Sequence, residues 1–303
     1  LLGELMAILG ISGSLLPSIA SLALITIPIN EAKVAFNRMY EFASVEKEKE
    51  GHLALANFES LEIKNLSFRF AGRSQLLKNI DITVNKNECI ALVGESGSGK
   101  STIGQLLQKF YQPESGTITI NNSLSLSEIK THDWRNILGV VPQDVTIFSG
   151  NVFSNILLGF EDSIENILKF CQDFGFEYFI NSLPQRFATI LGEEGINLSG
   201  GQKQVMALMR VLYKKPKILL LDEFTSAMDR KTEMFVLNLL NKLKSELTII
   251  FISHRLHSLP KIADKIYVLE NGSISNHGSH ETLMESENFY SAFWSELHFN
   301  SAI

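Results

Sequence analysis

The sequence predicts an α/β fold with a mostly parallel sheet, preceded by an apolar helix of membrane-spanning length. Three observations carry this. Apolar strand-like stretches alternate with helix-like ones from residue 61 onward. A glycine-rich turn, GESGSGKST at 94–102, stands between one such strand and a helical pattern. No charged residue occurs from Leu5 to Asn30.

About 20 apolar residues suffice to cross a bilayer as a helix, and the run 5–30 is longer than that. Gly10, Gly13, Pro17 and Pro28 are awkward in a soluble helix, but neighbouring helices in a membrane bundle accommodate them. Lys33 and Arg38 follow, and basic residues favour the cytoplasmic side. No basic stretch precedes the run and no small-x-small site follows it, so it is not read as a signal peptide. The first residue is Leu, and the chain is expected to be a piece of a longer one. EAKVAFNRMYEFA (31–43) continues helically, and VEKEKEG (45–51) is a charged, solvated linker. The expected division is residues 1–44 as the end of a membrane domain, 45–57 as linker, and 58–303 as a second domain.

LEIKNLSFRF (61–70) has strand-like composition, AGRSQ turns, and LLKNIDITVNKNECIALVG supplies two further apolar stretches. A helix is expected from Ser101 to about Phe110. GTITI (116–120), ILGVVP (137–142), KILLLD (217–222), LTIIFIS (247–253) and KIYVLE (265–270) are apolar enough for a parallel sheet buried on both faces. Residues 144–200 read as a mostly helical insertion, within a helical region of about 144–212. The net charge of −6 argues against nucleic acid as a partner, because phosphate backbones need basic surfaces. Cys89 and Cys171, with no CxxC spacing, read as unpaired thiols of a reducing compartment.

GESGSGKST fits G-x-x-x-x-G-K-[ST] in the required strand–turn–helix setting. Backbone N–H groups of Gly94, Glu95, Ser96, Gly97, Ser98 and Gly99 can cradle phosphates, helped by the positive helix N-terminus. Lys100 can reach the β and γ phosphates, Ser101 can ligate Mg²⁺, and Thr102 is a further phosphate contact. Asp222 and Glu223 end a hydrophobic strand. Asp222 would hold Mg²⁺ through its water shell, and Glu223 would act as general base or orient the attacking water. Gln143 follows VVP, where its amide could ligate Mg²⁺ and sense the γ-phosphate. His254 follows LTIIFIS at a strand's C-terminal end, the edge where open parallel sheets bind ligands. HGSH (277–280) lacks the Cys or carboxylate partners of a metal site.

GESGSGKST, Gln143, LSGGQ (198–202), ILLLDE, SAMD (226–229) and His254 occur in the order found in ATP-binding cassette (ABC) transporter ATPases, which residues 58–295 resemble. LSGGQ is that family's signature. The resemblance implies a P-loop ATPase core with an antiparallel β subdomain and a helical subdomain. It implies a head-to-tail dimer with a second cassette subunit; the intact motifs favour a homodimer, while the sequence leaves a heterodimer open. Two ATP would be sandwiched between the P-loop of one subunit and Ser199, Gly200, Gly201 and Gln202 of the other. Phe70 falls where the family places an adenine-stacking aromatic, usually Tyr. Val205 and Glu194 stand where Arg is common, and Phe224 where Ala is frequent. TILGEEG (189–195) resembles an exporter loop that touches the membrane domain.

The apolar N-terminal segment resembles the last membrane helix of a fused exporter half, and EAKVAFNRMYEF resembles the helix exit of peptide and bacteriocin exporters. The expected protein is a multi-pass inner-membrane ATPase, with its nucleotide-binding domain cytoplasmic. It would use ATP and Mg²⁺ to export a peptide-like or other hydrophobic substrate. A soluble subunit docking on separate membrane subunits is the alternative, and the fused run 5–30 argues against it.

Overall fold

The computed structural model describes residues 2–45, 48, 50–192, 198–254 and 256–300, the last four without side chains. The chain divides into two compact units, Leu1–Lys49 and Glu50–Ile303.

The first unit is helical, with α1 (Leu2–Leu24) and α2 (Thr26–Ala43). Together they make a 42-residue stretch long and apolar enough to cross a membrane, with none of its residues buried. Three of its hydroxyls bond back to the helix: Ser14 Oγ donates to the Ile11 carbonyl, Ser18 Oγ to Ser14 and Thr26 Oγ1 to Ala23. Such bonds need no water, as a helix requires if it crosses a membrane.

The second unit is α/β. In chain order it holds β1 (Ser60–Phe68), β2 (Leu77–Asn85), β3 (Cys89–Gly94), α3 (Lys100–Leu107), β4 (Ser115–Ile120), β5 (Leu124–Ser125), α4 (Thr131–Ile137) and β6 (Leu138–Val141). The helical stretch follows, with β7 (Gly150–Asn151), α5 (Val152–Leu157), α6 (Ile164–Phe174), α7 (Glu177–Asn181), β8 (Ile190–Leu191) and α8 (Gly200–Tyr213). The chain closes with β9 (Ile218–Asp222), α9 (Arg230–Leu243), β10 (Thr248–Ile252), β11 (Lys265–Glu270), β12 (Ser273–Gly278), α10 (His280–Met284) and α11 (Phe289–Asn300).

Six strands form the main sheet in the order β12-β11-β3-β10-β9-β6, parallel except for the antiparallel edge strand β12. Alternate residues of β3 enter opposite cores. Cys89, Ala91 and Val93 pack with α8 and α9, while Ile90 and Leu92 pack with α3 and a second sheet. A strand covered on both faces needs apolar residues at every position, which explains the continuous runs in the sequence. The second sheet is antiparallel, in the order β2-β1-β4-β5.

Three details correct the sequence reading. GTITI belongs to the antiparallel sheet as β4, with Gly116 and Thr117 exposed and Ile118 and Ile120 buried. The first strand stops at Phe68, so Phe70 lies beyond it. The helix after the glycine-rich turn runs Lys100–Leu107 and ends before Phe110. Of TILGEEG, Ile190 and Leu191 pair with Gly150 and Asn151, whereas Glu193, Glu194 and Gly195 lie outside the described residues.

Candidate active site

The glycine-rich turn leaves the buried strand β3 and enters α3. Gly94 begins it with φ +153°, and a Cβ there would meet the Leu269 carbonyl oxygen at 2.1 Å. Only glycine lets β3 turn this close to β11. Lys100, 4% exposed, donates from Nζ to the carbonyls of Gly94 (3.0 Å) and Glu95 (2.7 Å). Burial lowers its pKa, and the charges of Glu223 and Asp222 oppose that shift. Glu95, Ser96 and Gly97 are exposed on the turn, while Gly99 and Thr102 are buried. Ser98 Oγ is buried without a hydrogen-bond partner. The turn therefore holds a buried ammonium satisfied by its own carbonyls and an orphaned hydroxyl, a donor set suited to phosphate oxygens.

The acidic groups stand beside it at the C-terminal ends of the parallel strands. Asp222 closes β9 and accepts a hydrogen bond from Ser101 Oγ at 3.2 Å. Burial raises the Asp222 pKa, the Ser101 bond opposes this, and the Glu223 charge adds to it. Glu223 adopts φ +48°, and its N–H donates to the Ile252 carbonyl at 2.8 Å, pinning it to the end of β10. A left-handed glutamate is uncommon and is held here by its surroundings. Its Oε2 accepts from Gln143 Nε2 at 2.9 Å, and its Oε1 lies 3.1 Å from His254 Nδ1. The structure thus joins Gln143, Glu223 and His254 in one contact chain, with the Ser101–Asp222 pair next to it. No sequence signal announced the left-handed backbone at Glu223.

The LSGGQ residues are arranged differently. Ser199 caps α8: its Oγ accepts from the Gln202 N–H at 3.2 Å, and the Ser199 N–H donates to Gln202 Oε1 at 2.9 Å. This reciprocal capping box fixes the helix entry. A Cβ at Gly201 would fall 3.1 Å from the Ala227 carbonyl oxygen and 3.2 Å from Met228 Cα, so SAMD of the same chain packs tightly on this turn. No hydrogen bond or ion pair among the described residues joins Ser199–Gln202 to 94–102.

Phe70 stands edge-on between Phe68 (5.0 Å) and Tyr111 (5.3 Å between ring centroids). Val205 and Phe224, which depart from the family pattern, are both core residues. His277 stacks on Tyr267, and His280 Nδ1 pairs with Tyr290 OH at 2.8 Å. Among the described residues no three or more His, Cys, Asp or Glu side chains are grouped to hold a metal. Cys89 and Cys171 are buried and free.

The chain is similar to several known proteins. The ABC transporter family model matches residues 77–226. A Rickettsia prowazekii protein named as an export ATP-binding/permease protein is 38% identical over 283 residues, covering 91% of this chain and 46% of that protein. The ATP-dependent lipid A-core flippase of Haemophilus influenzae is 38% identical over 239 residues, covering 78% and 40%. The solved structure of a bacterial Atm1-family ABC exporter with ATP bound matches with a TM-score of 0.81 and 33% identity, over 89% of this chain and 48% of that one. The chain spans less than half the length of these relatives. By the residues matched to the family model, its relatives and its fold, the chain belongs to the ABC transporter family.

Proposed function

We propose that this chain binds ATP and hydrolyses it to drive export of a substrate across a membrane, as the C-terminal part of an exporter half. The observation that carries the reading is the convergence of Lys100, Ser101, Asp222, Gln143, Glu223 and His254 at one sheet edge. In this reading Lys100 exchanges its two loop carbonyls for phosphate oxygens, and the backbone N–H groups of 94–99 complete the cradle. Glu223 accepts a proton from the attacking water, or orients it. Gln143 and His254 hold the two oxygens of its carboxylate and so fix its direction. His254 also faces the γ-phosphate.

Ser101, Asp222 and the amide oxygen of Gln143 would hold Mg²⁺, whose charge offsets that of the phosphates. One carboxylate and two neutral oxygens fit an ion that keeps several waters. Phe70 takes the base, and Ser199, Gly200, Gly201 and Gln202 face the ATP of a second, identical subunit. The helix Leu2–Ala43 supports placement in a membrane, and Lys33 and Arg38 near its end favour the cytoplasmic side for the second unit. It also favours this reading over a separate soluble subunit. The substrate is read as peptide-like or otherwise hydrophobic, the peptide reading resting on residues 31–42 alone.

The test is phosphate release from MgATP by the full-length protein in lipid. Glu223→Gln is expected to abolish turnover while retaining ATP in a stable dimer. Turnover near wild type would remove Glu223 from the chemistry.

A further inference from the structure

Away from the phosphate loop, an arginine is buried with no carboxylate paired to it among the described residues. Arg210, near the C-terminal end of α8, is 7% exposed, and no ion pair to it occurs among the described residues. Burial pulls its pKa down to about 10. The guanidinium is charged at neutral pH and must be stabilised by dipoles. Its Nε donates to the Asn155 carbonyl at 2.8 Å, one terminal nitrogen to the Thr146 carbonyl at 2.6 Å, and the other to Asn155 Oδ1 at 2.5 Å.

Asn155, 1% exposed in α5, passes the contact on. Its Oδ1 accepts from the Phe148 N–H at 3.0 Å, and its Nδ2 donates to the carbonyls of Phe148 (2.8 Å) and Asn151 (3.0 Å). The guanidinium also lies over the Phe148 ring, 5.6 Å from its centroid. Thr146 and Phe148 belong to the loop 142–149, which contains neither helix nor strand. That loop carries Gln143 to Glu223. The opposite end of α8 is the Ser199 cap.

We propose that Arg210 and Asn155 form a strut through which α8 sets the position of the Gln143 loop, making both of them positioning residues for the Gln143–Glu223 pair. A loop without a backbone ladder needs side chains to fix it, and a misplacement of about 1 Å can cost about 10²-fold in rate. The rigid planar fork of arginine fixes the directions of its bonds to three acceptors, which the freely rotating ammonium of lysine does not. The strut also links the two glycine-rich turns within one subunit, because the helix that starts at Ser199 ends by holding the loop of Gln143. It rests on the reading of Gln143 and Glu223 as the hydrolytic pair.

The experiment is steady-state MgATP hydrolysis by the full-length protein in lipid, with hydrogen exchange of the 143–149 amides measured alongside. Arg210→Lys is one variant. Asn155→Asp is the second; it keeps a partner for Arg210 but loses the donor to Phe148. Each is expected to lower kcat about tenfold with little change in KM for ATP, and to speed exchange over 143–149 alone. In a Gln143→Ala background each is expected to add less than about twofold, since it acts through Gln143. Where Gln143→Ala itself lowers kcat, wild-type kcat in both variants, or a full multiplicative loss in the Gln143→Ala background, overturns the strut. Wild-type kcat in Gln143→Ala alone defeats the hydrolytic reading instead. The strut then stands if exchange over 143–149 is faster in Arg210→Lys and falls if it is unchanged.

Discussion

The two glycine-rich turns differ in how well their own chain satisfies them. In the turn at 94–102, a buried ammonium leans on two loop carbonyls, a buried hydroxyl has no partner, and a neighbouring carboxylate is desolvated. In the turn at 199–202, Ser199 and Gln202 satisfy each other and the glycines lie against Ala227 and Met228. The first turn gives up stability where phosphate is proposed to bind. The second is already a finished surface, as expected of a group that acts on a neighbour's ligand rather than its own.

Substituting one residue in each turn separates these roles. Lys100→Ala should have the largest effect, lowering MgATP turnover by about 10²–10³-fold, because one preorganised charge facing the phosphates is lost. Phosphate release measures it, and a loss below tenfold would place the grip elsewhere. Ser199→Arg should leave nucleotide binding by a single subunit intact while blocking the ATP-driven dimer and hydrolysis. Size-exclusion chromatography with ATP measures this, and a normal dimer would break the contrast.

A subtler substitution tests the close packing of the second turn. Gly201→Ala forces a methyl against the Ala227 carbonyl and the Met228 backbone, neither of which is a flexible side-chain tip. It should destabilise the unit by about 1–2 kcal/mol in a denaturant titration. No change would mean that the SAMD segment yields freely.

Much of the main sheet was legible because β9, β10 and β11 are covered on both faces and so read as unbroken apolar runs. GTITI was placed in the wrong sheet, since five residues of that character do not encode which neighbour they pair with. Strand β12 went unread. Its sequence, SISNHG, is an edge strand with one large apolar residue, Ile274, and no fully buried position. In the candidate site, the strand ends already pointed Asp222, Glu223 and His254 to one edge. The left-handed Glu223 backbone, the packing of Gly201 on Met228 and the bonds from Arg210 to Asn155 arise only when segments far apart in sequence meet. No local pattern marks such meetings.

The smallest expected effect concerns the strain of the first turn in the absence of nucleotide. Burial raises the Asp222 pKa above its unfolded value. Below the unfolded pKa both states hold the proton and the carboxylate costs nothing. As pH rises through the folded pKa the buried side chain must ionise, and stability is lost. Asp222→Asn removes that cost and keeps an oxygen for Ser101. Without Mg²⁺ or nucleotide it should raise the melting midpoint at neutral pH by about 2–4 °C. The advantage should shrink in acid, and turnover should be lost. A midpoint below wild type at neutral pH, or an advantage that grows in acid, would mean that Ser101 and Lys100 already outweigh the burial of Asp222. The first turn would then be as well satisfied by its own chain as the second.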